Sequence, residues 1–192
     1  VPDHLIAWDL PAYPGYRQDK RRVFMLIEPR WAPFFDDPDS TVEWRFVTWG
    51  GVMMDDRLDG SPGVSCFRCI PALDDPPVTD AAGGGWYPDS FPVFGVVVEG
   101  EARAYPKNQM EVHEMVNDTL GGRRIGIPYC TLCHSAQAFY LDNLPGFEPI
   151  LRTSGLLSRS NKFTYDRSTY SAINTFTGEA ISGPLREAGV TL

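Results

Sequence analysis

Short runs of β-branched and aromatic residues, each bounded by turn residues, recur through the second half of the chain. Residues 94–98 form one such run, Glu99-Gly100 follows as a turn, and residues 102–105 form the next run. This spacing is typical of a β-hairpin. Similar short runs follow at residues 125–129, 150–153, 162–165 and 179–181. Because the connections are short, neighbouring strands are predicted to pair antiparallel.

One segment changes from this pattern to a helical period, which predicts one principal helix near residues 109 to 120. Asn108 is a candidate N-cap, Glu111 completes a capping box, and Gly121-Gly122 ends the segment. The apolar positions that share one helical face are Val112, Met115, Val116 and Leu120. In this helix His113 lies at the edge of the apolar face and Glu114 points to water. The predicted fold class is α+β, mostly antiparallel sheet with one principal helix.

The first 69 residues differ from the rest and are predicted to form a loop-rich, aromatic N-terminal extension to a domain at residues 70–192. Four of the five tryptophans lie here, at Trp8, Trp31, Trp44 and Trp49. Residues 23–27 and 42–47 are candidate strands. Four tryptophans in water would expose a large apolar surface, so residues 1–60 are expected to pack on the domain or on a neighbouring chain. A protein partner or a homo-oligomer would use this segment.

Composition and charge narrow the class of protein. The formal net charge is -8 and the pI is about 4.8, which argues against nucleic acid as a partner. No run approaches the roughly 20 apolar residues that span a bilayer, so no transmembrane segment is predicted. The chain begins at Val1, which indicates a removed leader or a trimmed chain. We therefore expect a periplasmic or extracellular protein.

The cysteines form two C-x-x-C pairs, Cys66/Cys69 and Cys130/Cys133. A pair at this spacing suits a reversible disulfide, a soft metal ion or half of a zinc site. Cys66 and Cys69 are predicted to be structural, paired with each other or sharing a zinc ion with another ligand. His134 follows Cys133 and completes a formal haem c attachment pattern. Haem c is disfavoured, because the pattern lies between strand-like segments and no second apolar helix of haem size accompanies it.

Over residues 70–185 the chain resembles domain-of-unknown-function family 3179 of bacteria and archaea. The segments that carry the resemblance are residues 70–76, 100–106, 113–118, 129–133, 154–157, 160–161, 165–167, 177–181 and 183–185. The resemblance implies no established activity. The family pattern extends further beyond Leu185 than this chain does, which predicts truncation at the C-terminus. It also marks a shared set of polar residues, namely Arg103, Tyr105, His113, Glu114, Cys130, Cys133, Asn161, Asp166 and Arg167.

Two hypotheses of function follow. In the first, Cys130, Cys133 and His113 form a transition-metal or thiol-redox site, with the other shared polar residues in support. Two thiolates and an imidazole are ligands that copper(I) or zinc prefers, and sharing a tetrahedral ion would put the His113 nitrogen about 3.3 to 4 Å from a cysteine sulfur. In the second, the protein is a non-catalytic structural or interaction subunit with its cysteines in disulfides or a structural zinc site.

Overall fold

The computed structural model describes residues 14–192, which form an α+β fold with mostly antiparallel sheet, as predicted. The strands are β1 (Val47–Trp49), β2 (Leu73–Asp74), β3 (Val93–Val98), β4 (Glu101–Pro106), β5 (Met115–Leu120), β6 (Arg123–Cys130), β7 (Ser135–Ala136), β8 (Phe139–Tyr140), β9 (Leu151–Ser158), β10 (Asn161–Asp166) and β11 (Ala172–Asn174). The helices are α1 (Tyr16–Ile27), α2 (Ala32–Asp36), α3 (Lys107–His113) and α4 (Gly183–Glu187), with 3₁₀ turns at Pro29–Trp31 and Trp44–Phe46. Within this part of the chain, no helix has the length and apolar character needed to cross a bilayer.

The first sheet is antiparallel, with the strand order β1-β9-β10-β11. All of β10 and the first six residues of β9 are buried, because both faces of these strands are covered. The N-terminal segment, residues 14–60, covers one face with a cluster of aromatic side chains. Phe24, Trp31, Phe34, Phe35 and Trp44 of the segment pack with Phe163 and Tyr165 of β10. Strands β5 and β6 contact β9 and β10 as well. The centre of the molecule is therefore shared by several segments distant in sequence.

The second sheet has the order β2-β5-β6-β7, with β8 pairing with β6 as well. Strand β2 is parallel to β5, and β5 forms an antiparallel hairpin with β6 through Gly121-Gly122. Strands β3 and β4 form a separate antiparallel hairpin whose turn is Glu99-Gly100, as the sequence predicts. The residues that follow β6 form the Cys130–Cys133 loop, so the second sheet holds this loop against the first.

The prediction of a helix at residues 109 to 120 is wrong in its extent. Helix α3 ends at His113, and Glu114 adopts a left-handed conformation with φ 54°. Residues 115–120 then form β5, which makes six residue pairs with β6. Pairing across the sheet overrides the helical period of the apolar side chains, and Val112 is accordingly 60% exposed. The N-cap residue of α3 is Pro106, and no side chain caps the helix there.

The N-terminal segment also differs from its predicted local structure. Residues 23–27, a predicted strand, belong to α1, which is the longest helix of the described residues. The predicted strand at 42–47 is mainly a 3₁₀ turn leading into β1. Trp31 and Trp44 are buried inside the chain, whereas Trp49 is 42% exposed. Trp8 lies outside the described residues.

Candidate functional site

The Cys130–Cys133 loop closes a tight turn between two paired strands. Cys130 is the last residue of β6 and pairs with Ser135 of β7, so the chain reverses within four residues. The cysteines form a disulfide with a Cα–Cα distance of 5.4 Å. Cys130 is only 2% exposed, whereas Cys133 is half-buried and Leu132 between them is 67% exposed. Cys130 is thus the more buried residue of the pair.

A buried ion pair lies next to this loop. The Thr131 N–H donates to Glu114 Oε1 over 3.1 Å, and Lys162 Nζ lies 3.1 Å from Glu114 Oε2. Lys162 also donates to the Thr153 hydroxyl. Burial lowers the pKa of the Lys162 ammonium, and the Glu114 carboxylate opposes this effect. The prediction that Glu114 faces water is wrong, because the left-handed backbone at Glu114 ends the helix and directs its side chain inward.

The pair and the loop line one pocket of about 250 Å³. Its walls are mostly apolar, and its lining residues are Gly50, Val52, Ile70, Glu111, Glu114, Cys130, Thr131, Leu132, Thr153, Gly155, Leu156, Leu157 and Lys162. An apolar cavity with a few convergent polar groups is the usual form of a ligand site. Here those groups are a carboxylate, an ammonium and a disulfide.

Asn161, one of the predicted supporting residues, contacts the other cysteine of the loop. Its Oδ1 lies 2.7 Å from Cys133 Sγ and 2.8 Å from the Ser135 hydroxyl. Its Nδ2 is buried and has no hydrogen-bond partner among the described residues. A buried amide donor without a partner is uncommon. In the opposite orientation of the amide, Nδ2 would face the Cys133 sulfur and the Ser135 hydroxyl.

His113, the predicted third ligand, is half-buried, and its Nδ1 lies 2.7 Å from the Pro71 carbonyl oxygen. His113 does not line the pocket. Among residues 14–192, the group of three candidate ligands whose donor atoms lie within 4.8 Å of one another is Asp55, Cys66 and Cys69. His113 forms no such group with Cys130 and Cys133, and an ion shared by these three residues stays a prediction.

Cys66 and Cys69 form the second disulfide, with a Cα–Cα distance of 5.6 Å, which is one of the two arrangements predicted for them. Asp55 lies beside them, but its carboxylate already accepts hydrogen bonds from the Arg57 N–H, Arg57 Nε, Arg57 Nη2 and the Ala72 N–H. A carboxylate has about four lone-pair sites. Asp55 therefore has no lone pair left for an ion, and its role is to hold residues 55–57 against residue 72.

Arg103 and Tyr105 meet at Asp118 rather than at the cysteine loop. Arg103 Nη1 and the Tyr105 hydroxyl donate to Asp118 Oδ2 over 2.7 and 2.8 Å. Burial, followed by the hydrogen bond to Asp118, raises the pKa of the Tyr105 hydroxyl. Because Asp118 belongs to β5, this network joins the β3–β4 hairpin to the second sheet. Its role is structural.

Asp166 and Arg167 also bind elsewhere, and not to each other. Asp166 accepts hydrogen bonds from the backbone N–H groups of Ile150, Ser168 and Thr169. Arg167 Nε donates to the Asp56 carbonyl oxygen over 2.6 Å. These residues hold the turn after β10 and connect it to the N-terminal segment.

Lys162 and Thr153 are the site residues that sequence analysis missed. Lys162 lies in β10, in which all six residues are buried. A lysine in such a strand is a weak sign that an oppositely charged partner is buried beside it. No local pattern identifies Glu114 as that partner, because the two residues are 48 positions apart.

A family model described as "Protein of unknown function (DUF3179)" matches residues 68–192. No curated protein and no solved structure matches the chain.

Proposed function

The chain belongs to the DUF3179 family, whose description assigns no function. We propose a function from the site itself: Cys130 and Cys133 carry out thiol–disulfide exchange with a substrate. One observation carries this proposal. The disulfide spans a two-residue turn in which Leu132 is exposed, and Cys130, Thr131 and Leu132 line a pocket that also contains the buried Glu114–Lys162 pair. A disulfide that only staples the fold needs neither a pocket nor buried charges beside it.

The reaction is a two-electron exchange. In the reduced protein, the thiolate of one cysteine attacks a substrate disulfide, forms a mixed disulfide and expels one substrate thiolate, which takes a proton. The second cysteine then attacks the mixed disulfide through its own thiolate, and the second substrate thiolate leaves. The protein pair is oxidised and the substrate is reduced to two thiols. The reverse sequence oxidises a substrate dithiol.

A transition-metal site on the reduced pair is the second candidate function, with His113 as the third ligand. The contact between His113 Nδ1 and the Pro71 carbonyl favours it. A backbone carbonyl that accepts from Nδ1–H fixes the tautomer and leaves Nε2 as a metal donor. The thiolates and the imidazole would suit copper(I) or zinc. Disulfides persist in oxidising compartments, so under either candidate we propose a periplasmic or extracellular location.

The test compares the two cysteine pairs of the same molecule. The protein is equilibrated in glutathione redox buffers, and the thiols are alkylated and counted by mass spectrometry. We expect Cys130/Cys133 to be reduced at a less reducing poise than Cys66/Cys69. We also expect the Cys66→Ser/Cys69→Ser variant to retain reduction of a small aromatic disulfide, and the Cys130→Ser/Cys133→Ser variant to lose it.

Two outcomes would contradict the redox proposal. One is equal activity in both double variants. The other is a Cys130–Cys133 pair that is reduced only when the protein unfolds, which would support the structural-subunit hypothesis. Titration of the reduced protein with Zn²⁺ or Cu⁺ tests the metal candidate. Binding of one ion per chain that is lost in both Cys130→Ser and His113→Ala would support it.

A further inference from the structure

We infer that Cys133 is the attacking sulfur of the pair and that Asn161 is the residue that positions it. Cys130 then resolves the mixed disulfide. This inference rests on the proposed redox function and adds to it the direction of attack. It is carried by two independent features, namely the unequal burial of the two sulfurs and the unequal polar contacts around them.

The first feature is access. A substrate disulfide must reach the attacking sulfur in line with its own S–S bond, so a nearly inaccessible sulfur cannot start the exchange. Cys130 is 2% exposed at the end of β6. Cys133 is half-buried, and the exposed residues Leu132 and His134 lie on either side of it. Cys130 lines the pocket and Cys133 does not, so a substrate that approaches from solvent rather than through the pocket meets Cys133 first, and the exposed Leu132 offers an apolar surface beside the reacting sulfur.

The second feature is the set of polar groups next to each sulfur. The Asn161 carboxamide lies 2.7 Å from Cys133 Sγ, and the Ser135 hydroxyl lies 3.4 Å from it. Among residues 14–192, no polar side chain makes a hydrogen bond with Cys130 Sγ. The stability of a thiolate depends on nearby donors, so only Cys133 has groups that can stabilise the charged, attacking form.

A carboxamide suits this task because it carries an acceptor and a donor on one rotatable group. In the thiol state, Cys133 S–H donates to Asn161 Oδ1. In the thiolate state, a half-turn of the amide brings Nδ2 to the sulfur and to the Ser135 oxygen. The buried Nδ2, which has no partner in the disulfide state, then has two acceptors. Asn161 is 4% exposed, so little water competes for these contacts.

The experiment uses single-thiol variants in the Cys66→Ser/Cys69→Ser background. Cys130→Ser leaves Cys133 as the lone thiol, and Cys133→Ser leaves Cys130. Each folded variant reacts with an aromatic disulfide reagent, and the rate of mixed-disulfide formation is followed by absorbance. We expect Cys133 to react at least about tenfold faster than Cys130, and we expect the two rates to become similar in guanidinium chloride, where burial is lost.

Asn161→Asp is the matched variant for the role of the amide. It keeps the size of the side chain and replaces the donor Nδ2 by an acceptor. We expect the Cys133 rate to fall about tenfold or more, as the loss of a hydrogen bond to a charged group implies. The pH at which the rate reaches half its plateau should move upward. Because the introduced carboxylate raises the thiol pKa by its charge alone, Asn161→Leu, which removes the donor without adding a charge, is the variant that isolates the amide, and we expect the same fall in rate and upward shift from it. Asn161→Gln, which keeps a donor, should recover part of the rate.

Three results would overturn the inference. If Cys130 reacts faster than Cys133, the attack order is wrong while the redox proposal stands. If Asn161→Leu reacts with the rate and pH profile of its parent, the positioning role is wrong. If neither thiol reacts in the folded state and both react when unfolded, the inference and the redox proposal fail together.

Discussion

At the scale of single residues, the ion pair with Glu114 determines what Lys162 contributes. Its side chain is 2% exposed and the Glu114 side chain 10%. A buried pair costs desolvation energy and recovers it only through good geometry. Glu114 also stabilises the cysteine turn, because its second carboxylate oxygen accepts a hydrogen bond from the Thr131 N–H. The pair thus supports the loop as well as lining the pocket.

The first prediction concerns the loss of one partner. Lys162→Met should destabilise the oxidised protein by about 3–5 kcal/mol, because it leaves a buried carboxylate without a counter-charge. Glu114→Gln/Lys162→Met removes both charges and should recover most of this loss. Urea unfolding with both disulfides intact measures the difference. If the single variant is as stable as the double variant, the Glu114 carboxylate is not effectively buried.

Much of the chemistry at this scale could be predicted from the sequence, but its geometry could not. Two cysteines three positions apart predict a shared site by spacing alone, and the structure pairs them. The direction of the Glu114 side chain depends on one backbone angle, φ 54°, that side-chain periodicity does not encode. The partner of Lys162 depends on how the two sheets pack, which no local pattern specifies.

At the scale of elements, the sequence predicts the β3–β4 hairpin correctly, but not the extent of the helix or the β5–β6 hairpin. The β3–β4 hairpin follows from two β-rich runs and a turn, because all its information is local. The apolar residues at 115, 116 and 120 fit a helix face, yet they form β5. Met115, Val116 and Leu120 are buried there by pairing with β6 and packing on neighbouring strands. Gly121-Gly122 was read as a helix end and is a hairpin turn.

The second prediction uses this turn. Gly121 and Gly122 both have positive φ, 58° and 72°. A Cβ at Gly122 would have open space, whereas a Cβ at Gly121 would lie 2.3 Å from the Val98 carbonyl oxygen. Gly122→Ala should therefore cost about 1–2 kcal/mol for the left-handed backbone, and Gly121→Ala should cost clearly more. Thermal and urea unfolding measure the two losses. If both variants lose the same stability, the turn shifts away from Val98 to make room for the Cβ.

At the scale of the whole molecule, the N-terminal segment and the family-matched residues share one core. Trp31 is fully buried, and its Nε1 donates to the Ser154 carbonyl oxygen of β9 over 2.7 Å. Phe34 packs against Phe163 and Tyr165 of β10. The sequence predicted that this segment must cover its aromatic side chains. It did not predict the surface they cover, because contacts across more than 100 positions leave no local signal.

The third prediction follows from this shared core. Residues 14–60 and the two sheets should unfold in one transition, because separating them would expose both sides of the same aromatic cluster. Tryptophan fluorescence reports mainly on the segment, and far-UV circular dichroism reports mainly on the sheets. The two urea curves should coincide. Trp31→Ala should shift both curves together by about 3–5 kcal/mol, the usual cost of removing a buried tryptophan.

Trp86→Ala is the matched control, because Trp86 is 62% exposed and its loss should change stability by less than about 0.5 kcal/mol. A fluorescence transition that precedes the dichroism transition would contradict the shared core. The segment would then be a separable cover over β9 and β10. If the transitions coincide, destabilising the segment must also weaken the cysteine site, since β10 carries both Phe163 of the core and Lys162 of the pocket.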